Sequence, residues 1–196
     1  MVNANQHTGK VKHMENVQSF LVLVSIVIAG GAVWYISTMN RFARLLVKIS
    51  EADSGVEVAL TKRYDTLTKL LDVTKAYAKH EMETMTKMVI LRKGMSMGER
   101  SEASKQMNAL TDKINLVAEA YPELRSSENF KELQQAITEV EDHLQAARRI
   151  YNMNVSSFNQ LLVSWPASIV GKNKNHTQKD FFAADEKKKA DVAMQL

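Results

Sequence analysis

The sequence predicts an all-α protein: an N-terminal transmembrane helix, then an antiparallel bundle of about four long helices. Three observations carry that reading. No charged side chain occurs between Glu15 and Arg41, and the heart of that gap, Phe20 to Ile36, reads FLVLVSIVIAGGAVWYI. Beyond it, apolar residues recur at alternating steps of three and four, the spacing of a helix with one buried face. Only two prolines and seven glycines are present, too few for the many tight turns of an all-β fold. The expected division is a flexible leader over 1–15, an anchor over 16–40, a helical bundle over 41–170 and a polar tail over 171–196.

The leader is polar and non-periodic; His7 and His13 read as solvated residues. The anchor follows from length: at about 1.5 Å per residue, its uncharged helix crosses a hydrocarbon layer of roughly 30 Å. Its partner is therefore a lipid bilayer. A cleavable signal peptide is the rival, with Lys10 and Lys12 before the apolar core and Ala29-Gly30-Gly31-Ala32 as the cut. Against it, Val33-Trp34-Tyr35-Ile36 continues the apolar run, and Trp34 and Tyr35 stand where interfacial aromatics belong. Arg41, Arg44 and Lys48 follow the span closely, which favours a cytoplasmic C-terminal body and an exported N-terminus.

From Arg41 the pattern predicts helix almost without interruption to Arg92, with Ser54-Gly55 the weakest point. Leu60, Tyr64, Leu67, Leu71, Thr74, Ala78, Met85 and Met88 form its stripe, widened by Leu70, Val73 and Tyr77. Gly94 to Gly98 reads as a loop in which Ser96 and Glu99 have the spacing of a capping box. The next helix carries Met107, Leu110, Ile114, Val117 and Tyr121, and Pro122 ends it near Ala120. Another starts between Ser126 and Asn129 and bears the cleanest stripe: Phe130, Leu133, Ile137, Val140, Leu144, Ala147, Tyr151, Phe158, Leu161 and Trp165. Pro166 stops it, and a short apolar piece, Ala167 to Val170, follows. In the tail, Phe181-Phe182 is expected to tuck onto the bundle while Lys187-Lys188-Lys189 stays solvated. A coiled coil is the competing architecture, but each stripe is wider than two heptad positions.

Function classes fall away in turn. Without cysteine there is no disulfide, thiolate zinc site or cysteine nucleophile. The 26 basic and 22 acidic residues are interspersed, so the net charge of +4 makes no stripe for nucleic acid. His80 lacks the second histidine of a zincin, because position 84 is Thr84. Neither His80 nor His143 has the glutamate three residues earlier that a di-iron bundle needs. No phosphate loop or nucleophile elbow occurs, so no cofactor, metal or catalytic residue is expected. Asn154-Val-Ser156 and Asn175-His-Thr177 match a short glycosylation pattern that chance supplies, and Met95 and Met97 in the loop stand out as adaptable apolar contacts.

Several polar motifs keep their order along the chain: Leu60-Thr-Lys62-Arg63-Tyr64-Asp65, Lys75-Ala-Tyr77-Ala-Lys-His80-Glu81, and Glu119-Ala-Tyr121-Pro122-Glu-Leu124. Glu128-Asn129-Phe130, Leu133-Gln134, Glu141, Ala147-Arg148 and Tyr151-Asn152 follow, then Phe158-Asn159, Trp165-Pro166 and Phe181-Phe182. From Met39 to Phe182 the series resembles the LemA family of bacterial membrane proteins. The resemblance implies one N-terminal anchor, a short exported N-terminus and a cytoplasmic helical bundle, and it brings no catalytic residues. One divergent branch is linked to building magnetosome membranes. Two features depart from the family: Thr66-Leu67-Thr68-Lys69-Leu70 replaces a Leu-Ile-Pro-Asn-Leu stretch, removing a proline kink, and the leader is longer than usual.

The function expected is a non-enzymatic, membrane-anchored interaction or scaffold factor in membrane or envelope organisation, magnetosome membrane formation included. Its partners are other membrane or envelope proteins. The candidate surface is Lys62, Arg63, Asp65, His80, Glu81, Glu128, Asn129 and Asn152; the competing role for these residues is to fix helix register through hydrogen bonds and ion pairs. Alternatives are a metal-binding or enzymatic bundle using His80, Glu81 and His143, and an envelope-stress sensor.

Overall fold

A computed structural model of the chain describes residues 3–78, 91–92 and 94–183. Every regular element among them is a helix: α1 Asn3–Lys75, α2 Met97–Ala120, α3 Pro122–Ser126, α4 Glu128–Val163 and α5 Ala167–Asn173. The all-α architecture with a long apolar N-terminal helix is the one the residue pattern implies. Met82, Met85, Met88 and the Lys187-Lys188-Lys189 run lie outside the described residues.

α1 is a single helix of 73 residues. Its backbone is already helical at Asn3. It also runs unbroken through Gly55, the weakest point of the pattern. One glycine costs a helix about 1 kcal/mol, and its neighbours Ala52, Val56 and Ala59 are all buried in the bundle. In the Thr66 to Leu70 stretch the helix continues as the missing proline allows, with the Thr66 and Thr68 hydroxyls donating to the Lys62 and Tyr64 carbonyls at 2.9 Å each. Of the expected extension to Arg92, residues 79–90 lie outside the described residues, and Leu91 and Arg92 are not helical. α1 ends at Lys75, where Ala76 N–H and Tyr77 N–H bond the carbonyls of Val73 and Thr74, three residues back, and tighten the last turn.

The chain divides into two compact units. One joins residues 1–44 and 161–177, the other residues 45–160 and 178–196. In the second, α1 buries Val56, Leu60, Leu67, Leu70 and Leu71, and α2 buries Met107, Leu110 and Ile114. Leu124 of α3 and Phe130 and Ile137 of α4 complete one apolar cluster. Each fully buried Leu, Ile or Phe contributes about 1.5–3 kcal/mol, so this layer holds the three long helices together. Asp53 and Glu57 meet Arg100 early in α2, and Arg63 meets Asn108 two turns later, so α1 and α2 run the same way. α4 is antiparallel to both: Glu141 meets Arg63, whereas the later Asn154 donates to the carbonyl of the earlier Lys48 at 3.1 Å. By Leu91 the chain has come back beside Glu57 and Leu60, with which it lines a pocket.

Local signals set the helix ends. Gly94 adopts a φ of 82°, which L residues avoid. Ser96 caps α2 in a full capping box: its Oγ accepts from Glu99 N–H at 3.3 Å, and its own N–H donates to the Glu99 carboxylate at 2.7 Å. Those bonds hold the Glu99 pKa below its usual value. Pro122 closes α2 at Ala120 and itself opens α3.

In the first unit, residues Asn16 to Ile36 leave their apolar side chains exposed almost all round, Val22, Ile26, Ile28 and Val33 among them. One helix, and it alone among the described residues, is long and apolar enough to cross a membrane by length and composition. Beyond the α4 terminus, Trp165-Pro166 is a cis peptide and α5 follows, stopped by Asn175 at a positive φ of 52°. Trp165 was expected to continue the buried stripe of α4. It does not: α4 ends at Val163, the turn redirects the chain, and Trp165 is 83% exposed.

Candidate functional site

Two arginines organise the polar interior of the bundle. Arg63 occupies a stripe position of α1, three residues after Leu60 and four before Leu67, and only 3% of it is exposed. A guanidinium in that layer needs partners from both neighbouring helices. From α2, the Ser104 carbonyl and hydroxyl accept at 3.4 and 3.3 Å, and Asn108 Oδ1 accepts a further bond. From α4, Glu141 Oε2 lies 2.9 Å from Nη2. Burial lowers the Arg63 pKa, the Glu141 charge opposes that, and Arg148 adds a smaller lowering. Arg100 works in the other direction, from α2 back to α1, gripping Asp53 Oδ1 at 2.7 Å and Glu57 Oε2 at 3.1 Å.

Around Arg63 opens a groove of about 550 Å³ between α1, α2 and α4, lined also by Lys105, Asp112, Glu141 and Asp142. Its two threonines are already engaged: Thr111 donates to the Met107 carbonyl at 3.0 Å and Thr138 to the Gln134 carbonyl at 3.1 Å. Neither hydroxyl is paired with a base.

A second polar assembly ties the C-terminal segment to α4. Asn152 Nδ2 donates to the Phe182 carbonyl at 3.1 Å, and Phe182 N–H donates back to Asn152 Oδ1 at 2.9 Å. Asn159, seven residues on and two turns along the same helix, holds Lys179 by the same pair of bonds, 2.9 Å each. An asparagine amide thus pairs with a peptide unit as one strand pairs with the next. The Tyr151 hydroxyl donates to the Asp180 carbonyl at 3.0 Å, and Arg148 donates to the Ala183 carbonyl at 3.0 Å while lying 4.5 Å over the Phe182 ring. On the far side, Ala183 N–H donates to Ser101 Oγ of α2 at 3.1 Å. Burial raises the Tyr151 pKa, and Asp53 and Asp180 raise it further. Of the aromatic pair expected to tuck in, Phe182 is buried and Phe181 stays half exposed.

The candidate residues therefore separate. Arg63 and Asn152 make inter-element bonds, whereas Lys62, Asp65, Glu128 and Asn129 are exposed. His143 is exposed on α4, and no group of three or more His, Asp or Glu side chains converges among the described residues. His80 and Glu81 lie outside the described residues. Sequence reasoning missed Arg100, Asn159, Tyr151 and Ser101 as connectors. The seven-residue spacing of Asn152 and Asn159, which puts both on one face of α4, was the signal available for the second.

The sequence profile of the LemA family matches residues 52–196. The chain is also similar to a protein described as Protein LemA from Metamycoplasma hominis, 25% identical over 183 residues that cover 90% of this chain and 84% of that one. The matched region contains both arginine clusters and the whole C-terminal strap.

Proposed function

The chain belongs to the LemA family, and on that premise we propose that it is a membrane-tethered, non-enzymatic interaction factor in membrane or envelope organisation. α1 is the tether, and the bundle is the part presented to partner proteins on the cytoplasmic side. The observation that carries this reading is the uncharged stretch of α1, whose large apolar side chains stand exposed. Exposed apolar surface on that scale needs a hydrocarbon solvent or a partner. The bundle complements it: its buried Arg63 and Arg100 are engaged in joining helices rather than arranged around a reacting atom. Building magnetosome membranes would be one form of this role.

The test is fractionation followed by crosslinking in the native host. The full-length protein should stay in the membrane pellet after alkaline carbonate, and crosslinked material should yield a recurrent protein partner by mass spectrometry. Deleting residues 2–40 should release the body and lose that partner. Full-length protein that washes off with carbonate would overturn the tether. A retained protein that never crosslinks to another protein would overturn the interaction role.

A further inference from the structure

We propose that the α4–α5 corner is a second membrane contact, with Trp165 set into the bilayer interface beside the exit of α1. The inference rests on the reading of α1 as a membrane span and adds a surface to it. Within the first unit, Gly171 of α5 faces both Leu162 and Phe42: a Cβ built on it would lie 2.6 Å from Leu162 Cδ1 and 3.3 Å from Phe42 Cζ. Any larger residue there would push the ends of the Leu162 and Phe42 side chains aside. The His176 ring packs on Phe42 at 5.1 Å between centroids. Phe42 stands two residues past Asn40, the last of the uncharged stretch. Thr38, one turn further back, is buried as well, so shelter of α1 reaches into the apolar segment. The corner is thereby fixed where the span ends.

What the corner shows to solvent is apolar. Trp165 is exposed along with Val163 and Ile169, although Ala167, Val170 and Gly171 are buried. An exposed indole next to a span end has the chemistry of the interfacial belt, where the ring is buried in the headgroup region and the N–H stays wet. Cations complete the match: Lys172 is exposed on α5, and Arg41 and Arg44 are exposed on α1 in the same unit. Basic side chains around an apolar wedge fit anionic headgroups. Cations beside an exposed indole match an anionic bilayer surface, so the bilayer is the occupant the charges favour.

The chain has two tryptophans, Trp34 and Trp165, which makes the test direct. Full-length Trp34→Phe and Trp165→Phe variants are reconstituted into phosphatidylcholine vesicles with a minor share of phosphatidylglycerol, with and without brominated acyl chains. In Trp34→Phe, emission from Trp165 should fall about twofold on bromination and resist aqueous iodide, as for interfacial indoles. In Trp165→Phe, emission from Trp34 should also fall, and helicity should match the parent because Trp165 supports no core. Trp34 quenched while Trp165 stays open to iodide would overturn the corner contact and leave the span standing. Trp165 shielded from iodide yet indifferent to bromine would mean that protein covers it, which also overturns the proposal. Neither tryptophan quenched would remove the span, and the corner contact with it.

Discussion

Arg63 shows what a buried charge demands. Its guanidinium is held by an acid from α4 and by neutral acceptors from α2, so truncating it takes a partner from each of them. Removing one partner of a buried pair commonly costs 3–5 kcal/mol. Glu141 keeps some contact with water, so Arg63→Met should cost about 3 kcal/mol, the lower end of that range. Urea unfolding followed by far-ultraviolet circular dichroism measures it. Replacing both ends, as Arg63→Met with Glu141→Met, should recover most of the loss, because an apolar pair leaves no orphaned carboxylate. If the single variant is as stable as the parent, the arginine is not a register pin and its place on a binding surface gains weight.

At the scale of the element, α2 illustrates how a helix start becomes sensitive to acid. Glu99 accepts from the Ser96 N–H in the capping box, and that bond depresses its pKa. A carboxylate with a depressed folded pKa adds stability above its unfolded pKa and loses it as pH falls through the folded one. The parent should therefore lose stability through and below the usual carboxylate range, and Glu99→Gln should show a shallower slope there. Denaturation midpoints taken across that acid window check the difference. Both residues of this cap were readable in the sequence because capping chemistry is local. The end of α1 at Lys75 was not, since no proline or glycine marks it and the stripe carries on through Ala78.

For the whole molecule, the C-terminal strap decides how much of the chain belongs to the folded body. Composition alone assigns residues 171–196 to a polar tail, yet 178–183 are bound at both edges. Asn152→Ala with Asn159→Ala removes four hydrogen bonds, each contributing about 1 kcal/mol at most where water competes. Amide exchange in peptides covering 178–183 should quicken by about tenfold or more, with the α2 amides little changed; equal exchange in parent and variant would show that the asparagines do not hold the segment. The periodic stripes of α2 and α4 revealed the apolar layer because burial follows helix period. Arg63 was legible only in part. Its steps of three and four from Leu60 and Leu67 mark it as inward, but charge argues outward, and only the presence of Glu141 across the bundle resolves the conflict. Trp165 was misread for the opposite reason: the period continued after the helix had stopped.

The long sequence separations of these contacts also set a timetable for biosynthesis. Lys48 must wait 106 residues for Asn154, and Ser101 waits 82 for Ala183. At about 5–20 residues per second the ribosome needs roughly 5–20 s for the first interval. For most of that time the apolar face of α1 is without α4, whose first residue is Glu128. A nascent chain in that condition is exposed to aggregation, and its uncharged leading segment is what could bring the ribosome to a membrane first. The strap closes over α4 only after Ala183 has been synthesised.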